Sequence, residues 1–198
     1  MSLSIQAFNS LALFSSELFS NAGSIGAALP SSKALARRIA AYLPSRPEGY
    51  VIELGAGTGA VTEALLEHGL PPERLVPVEI SDNMVRHLRQ RFPTLKILGG
   101  DAAKLDALLA QHLPGARGRV SHIVSSLPLR SLPLPVVVRI IREVKHLLSD
   151  NGAFIQYTYN LTCHRYRPLD DFRCDATSII WKNLPPARVD VFRLSPAP

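Results

Sequence analysis

The ten residues Val51-Ile52-Glu53-Leu54-Gly55-Ala56-Gly57-Thr58-Gly59-Ala60 constrain the fold more than any other part of the chain. A short apolar run reads as a buried parallel strand, and it breaks into a turn with glycines at three alternate positions. Val61, Ala64 and Leu65 then recur with the period of a helix. Glycine at such a junction lets the backbone turn sharply and approach a ligand where a side chain would collide.

The glycine spacing narrows the ligand. Dinucleotide enzymes use G-x-G-x-x-G, whereas this turn is G-x-G-x-G with Glu53 two residues before its first glycine. That variant favours S-adenosylmethionine, a cofactor with no pyrophosphate to cradle. In an open α/β sheet, ligands sit beyond the carboxyl ends of the strands, near the switch point. The rule places Gly55, Gly57, Gly59, Glu79, Asp101 and residues 125–129 around one crevice. Glu79 ends the second strand candidate, where an acid can accept both ribose hydroxyls. Asp101 either accepts the adenine amino group, with the neighbouring N–H of Ala102 meeting a ring nitrogen, or caps the following helix. Glu53 is either a cofactor ligand through water or a partner for backbone amides. Ser125 closes the crevice at the end of the fourth strand candidate.

Strand candidates are 50–54, 74–79, 95–98, 120–125 and 153–159, and helices are expected at 61–68, 82–92, 103–113 and 136–148. Alternation of this kind with buried apolar strands implies a doubly wound, Rossmann-like parallel sheet. Two further short strands, 178–181 and 188–194, are joined across Pro185-Pro186. A terminal antiparallel hairpin on a parallel sheet is the usual ending of the class I methyltransferase fold. Ahead of the core, at 1–45, two helices are expected. One spans 3–20, with Leu3, Ala7, Phe8, Leu11, Phe14, Leu18 and Phe19 on one face. The second is capped by Pro30-Ser31-Ser32 and runs to about Tyr42. The whole chain, 1–198, reads as one domain with its cofactor-binding core at 46–198.

The fourth strand ends in Ser125-Ser126-Leu127-Pro128-Leu129. In amino-group methyltransferases a turn of this type offers carbonyl and side-chain oxygens to the substrate amine. Ser126 and Leu127 are therefore expected to orient the attacking nitrogen, whose lone pair must be free and aimed at the methyl. Tyr157 and Tyr159 share one side of the fifth strand. Tyr159, nearer the strand end, is the better candidate for the amine pocket.

Charge bears on the acceptor. A net charge of +6 and an isoelectric point near 9.7 suit a phosphate-bearing partner, nucleic acid or an anionic membrane surface. No apolar run of about 18 residues or more is present, which speaks against a membrane-spanning helix. The N-terminus lacks the basic start and cleavage site of a secretory signal, so a cytoplasmic location is expected. Two cysteines, Cys163 and Cys174, do not make a metal cage by themselves, and no metal is expected.

Taken together, these motifs resemble the bacterial S-adenosylmethionine-dependent phospholipid N-methyltransferases. The resemblance runs through residues 26–36, 51–59, 91–93, 100–102, 126–129, Gln156-Tyr157-Thr158-Tyr159 and 183–187. It implies stepwise methylation of the phosphatidylethanolamine amine by a protein peripheral to the inner face of the membrane. His164, Arg165 and Arg167, beyond the fifth strand, either hold the headgroup phosphate or are solvated loop residues. Two departures stand out. No Lys or Arg precedes Lys33, so residues 3–20 are either a membrane anchor or a lid over the active site. Asn160 follows Tyr159 where glycine is expected. The main rivals are an RNA adenine N6-dimethyltransferase and a noncatalytic S-adenosylmethionine-binding protein. The RNA enzyme carries an aromatic where Leu129 stands, to stack on a flipped adenine, which makes nucleic acid the weaker partner.

Overall fold

The computed structural model describes residues 32–162 and 166–195. The expected helix at 3–20 lies outside them, as do Cys163, His164 and Arg165. Twelve regular elements follow in chain order: α1 (Lys33–Ala40), β1 (Tyr50–Leu54), α2 (Ala60–Glu67), β2 (Leu75–Glu79), α3 (Asp82–Arg91), β3 (Leu98–Gly99), α4 (Leu105–His112), β4 (Val120–Ser125), α5 (Leu134–Leu147), β5 (Leu148–Thr158), β6 (Phe172–Ile180) and β7 (Ala187–Leu194). The strands form one sheet in the order β3-β2-β1-β4-β5-β7-β6. Pairings among β1–β5 are parallel, while β7 is antiparallel to both β5 and β6. The order reverses between β1 and β4, which puts the switch point beside the glycine turn.

Side-chain alternation in the central strands assigns the two faces. Ile52 and Leu54 of β1, with Val76 and Val78 of β2, pack beneath α4 and α5. Val51 and Leu75 point the other way, into a second core with α1, α2 and α3. Helix α5 covers its face with Val136, Val137, Ile140, Ile141, Val144 and Leu147, a spacing that keeps one stripe apolar over four turns. Helix α1 starts where expected, since the Ser32 hydroxyl accepts the Leu35 N–H (3.2 Å).

Several boundaries differ from the sequence reading, among them the start of β5, at Leu148 rather than 153. The third strand is only Leu98–Gly99 and pairs with the last two residues of β2, so 95–97 approach the sheet without joining the ladder. Residue 74 belongs to a single 3₁₀ turn before β2. β6 begins at Phe172 rather than at 178, with a bulge between Cys174 and Ala176 that breaks the alternation on which strand recognition depends. Helix faces also carry more pairing than solvated arginines require. Arg91 donates to the Thr58 carbonyl (2.7 Å) and pairs with Glu63 (2.8 Å), and Lys145 pairs with Asp171 (2.9 Å).

Candidate active site

The glycine turn is held from below by an acid. Gly55, Gly57 and Gly59 all have positive φ, at 72°, 54° and 85°, a region that side chains enter only with strain. Glu79, at the carboxyl end of β2, is 3 % exposed. Its Oε2 accepts the Gly57 N–H (2.9 Å), and its Oε1 accepts the N–H groups of Ile80 (2.8 Å) and Ser81 (2.9 Å). A carboxylate offers about four lone-pair sites, so Glu79 uses one on the glycine turn and two on the chain after β2, which leaves one open. Gly59 is needed for packing: a Cβ there would lie 2.5 Å from Phe92 Cε2 and 3.0 Å from Leu88 Cδ2.

Alternation in β1 sends Glu53 into the interior, on the same side as Val51. It is fully buried, and Oε2 accepts the Thr62 hydroxyl of α2 (2.6 Å). Its other oxygen, Oε1, has no hydrogen-bond partner. Burial lifts the Glu53 pKa from 4.5 to about 8, so the carboxyl is neutral at pH 7. Its protein partner is Thr62, through the side-chain hydroxyl and the backbone, which is the backbone-partner alternative considered from the sequence with a hydroxyl added. Asp101 takes the capping alternative with one oxygen, which accepts the Ala103 N–H (2.8 Å), and Ala102 is buried beside it. These groups fit S-adenosylmethionine. The turn has glycine at three positive-φ positions, acids end two adjacent strands, and a buried Glu53 carboxyl oxygen lies unpaired in the strand before the turn. Among the described residues, no group of His, Cys, Asp or Glu could hold a metal.

The glycine turn and the turn after β4 touch. A Cβ on Gly55 would come within 2.8 Å of Leu127 Cδ2, so glycine there lets Leu127 close over the turn. Behind Leu127 opens a cavity of about 570 Å³, the size of a small-molecule site. Residues 126–131 and the segment around Tyr166 form its roof, and β5 and β7 form its floor. Tyr166 ties the roof together by donating its hydroxyl to the Leu129 carbonyl (2.8 Å).

Ser126 and Tyr159, both candidates from the sequence, line this cavity. Leu127 lines it too, but its carbonyl already accepts from the Leu129 N–H (2.9 Å) and from Gln156 Nε2 (3.0 Å). Both lone pairs are in use. Ser125 is buried, and its hydroxyl accepts the Leu127 N–H (3.3 Å). Tyr159 stands at the rim, 40 % exposed, with its ring edge-on to Tyr157 at 5.9 Å. Partial burial raises its pKa above the usual 10, so it is a hydroxyl and not a phenolate base at neutral pH. Arg167 is exposed on a 3₁₀ turn next to Tyr166 and is not among the residues that line the cavity.

The floor holds residues to which the sequence reading gave no individual role. Gln156 of β5 pairs in register with Asp190 of β7, and Thr158 with Arg188. All four line the cavity. Arg188 pairs with Asp190 Oδ2 through both Nε and Nη2 (2.9 Å each), while the Thr177 hydroxyl donates to Asp190 Oδ1. The available signal was Arg188, Asp190 and Phe192 alternating with Val189 and Val191.

A model of the methyltransferase domain matches residues 51–152. The chain belongs to the class I S-adenosylmethionine-dependent methyltransferases. It is 32% identical over 151 residues to an ornithine lipid N-methyltransferase of Singulisphaera acidiphila, covering 74% of this chain and 76% of that one. Similarity to a ribosomal RNA small subunit methyltransferase A of Leptothrix cholodnii is 30% over 108 residues, 54% of this chain but only 37% of that one. Among solved structures, the methyltransferase shares its fold with a 1,6-didemethyltoxoflavin-N1-methyltransferase of Burkholderia thailandensis, crystallised with S-adenosylhomocysteine. The TM-score is 0.69 at 16% identity, covering 96% of this chain and 90% of that one.

Proposed function

We propose that this methyltransferase transfers methyl groups to the amine of a membrane lipid, phosphatidylethanolamine or a related amino lipid. When bound, S-adenosylmethionine supplies an electrophilic methyl on a sulfonium sulfur. The glycine turn, Glu79 and Asp101 would hold it, and the cavity behind Leu127 would take the acceptor. Gln156 is the residue best placed to receive an amine. It is 6 % exposed, its Nε2 is committed to the Leu127 and Tyr157 carbonyls, and its Oε1 is buried without a partner. A buried orphan acceptor costs stability until a donor meets it, and an amine N–H is such a donor.

One observation carries the lipid reading. The β6–β7 turn exposes Trp181 by 70 % and Leu184 by 75 %. The register of Thr158, Arg188 and Ile179 sets this turn at the carboxyl edge of the sheet, level with the end of β5 and the cavity. Asn183 pins the turn between them, donating to the Pro185 carbonyl (2.7 Å) and accepting the Ser32 N–H (3.1 Å). Large apolar side chains held out beside a cavity mouth, with Lys182 between them, suit insertion at a phospholipid surface. The overall positive charge adds attraction to anionic lipid. Likeness to a lipid N-methyltransferase over three quarters of both chains supports the same reading. Leu129 is buried and so offers no stacking face to a flipped base, which weighs against RNA.

Replacing Trp181 and Leu184 together with Asp is expected to lower binding to anionic vesicles by about tenfold or more. Methyl transfer to the same lipid dispersed in nonionic detergent should fall less than threefold, because neither residue lines the cavity. Sedimentation with vesicles reads the first effect and labelled transfer the second. Unchanged sedimentation would remove this turn from the membrane contact.

A further inference from the structure

We infer that Arg188 forms an anion subsite in the acceptor cavity, so the substrate carries an oxyanion a few bonds from its amine. The inference rests on the lipid-amine reading and deepens it. Arg188 is 5 % exposed, and Asp190 occupies its Nε and Nη2, yet Nη1 is buried with no hydrogen-bond partner. An unmet N–H on a guanidinium is costly inside a protein, and Arg188 is one of the residues that line the cavity. Asp190 is already satisfied by Arg188 and Thr177, so the spare donors are available to a ligand.

Position strengthens the assignment. Gln156 and Arg188 sit on adjacent antiparallel strands, offset by two residues from direct opposition and on one face of the sheet. Such diagonal neighbours are roughly 7–8 Å apart at the backbone. An unpaired acceptor and an unpaired cationic donor therefore share one floor at short range. That pattern complements a zwitterion: ammonium on Gln156 Oε1, oxyanion on Arg188 Nη1. Phosphodiester and carboxylate both meet the requirement, since guanidinium binds either through charge-assisted hydrogen bonds.

The test compares three amines in nonionic detergent micelles: phosphatidylethanolamine, an amino-acid lipid with a free carboxylate, and a long-chain alkylamine with no anion. Arg188→Lys keeps a cation for Asp190 but loses the fork. Arg188→Met with Asp190→Leu removes the pair together, leaving neither charge buried alone. Both variants should raise KM for at least one anion-bearing amine by about 10–100-fold, with cofactor affinity by calorimetry within about twofold of wild type. The wild type should prefer that amine over the alkylamine, and the variants should lose the preference. The arm that responds identifies phosphodiester or carboxylate as the anion. Unchanged KM values in variants that still bind cofactor would overturn the subsite and leave lipid methylation standing. Failure of the wild type to label any of the three would overturn both.

Discussion

Glu79→Ala should weaken S-adenosylmethionine binding by about 100-fold or more, and should also destabilise the protein. The carboxylate accepts three backbone N–H groups, one from the glycine turn itself. Hydrogen bonds to a charged acceptor contribute about 1.5–3 kcal/mol each when buried, and removal leaves the Gly57 amide without its partner. The effect on affinity then has two sources, a lost ligand contact and a loosened turn. Glu79→Gln separates them. Its carbonyl oxygen can still accept from Gly57, but its NH₂ faces further N–H donors, so the turn is only partly held. Affinity between wild type and Glu79→Ala is the expected result, read by titration calorimetry. Wild-type affinity in Glu79→Ala would take Glu79 out of the cofactor site.

The second large effect is a pH dependence seated on Glu53. Its folded pKa, about 8, lies above the ordinary value of 4.5 because burial penalises the charge. A raised pKa means that the folded state holds the proton more tightly than the unfolded state. The associated stability is complete below about 4.5 and is lost as pH rises through 8. Glu53→Gln removes this titration while keeping shape and an oxygen for the Thr62 hydroxyl. Relative to wild type, the variant should gain roughly 1 kcal/mol per pH unit across that window. Denaturant melts at pH 5 and pH 8 provide the measurement. Parallel curves at both pH values would mean that Glu53 is ionised in the folded protein.

His122 of β4 works in the opposite direction. Burial, then the nearby Arg193 charge, lower its pKa from 6.5 to about 4. The stability tied to its neutral form is present above 6.5 and lost as pH falls through 4. The two groups oppose each other between about 4.5 and 6.5, so the Glu53 effect is cleanest above that range.

Most of the sheet was legible because its strands are short apolar runs buried on both faces, a pattern that survives without tertiary information. The glycine turn was legible because positive φ at alternate residues leaves glycine as the unstrained choice. Glu79 was found by position, but its grip on Gly57 was not, since the sequence says nothing of which lone pairs the backbone consumes. The same gap hid the engagement of the Leu127 carbonyl. Arg188 and Asp190 escaped notice for another reason. Polar residues alternating with valines on an antiparallel strand normally read as a solvated face. Here the chain around Tyr166 and Leu169 returns over that face and roofs it. The exposure of Trp181 likewise depends on a turn that Asn183 anchors from 151 residues away in sequence, at Ser32.

The most direct test of the central proposal is transfer of labelled methyl from S-adenosylmethionine to phosphatidylethanolamine vesicles, with ribosomal RNA as a parallel acceptor in the same buffer. The lipid-amine reading predicts label in lipid and none in RNA. Label in RNA alone would contradict it.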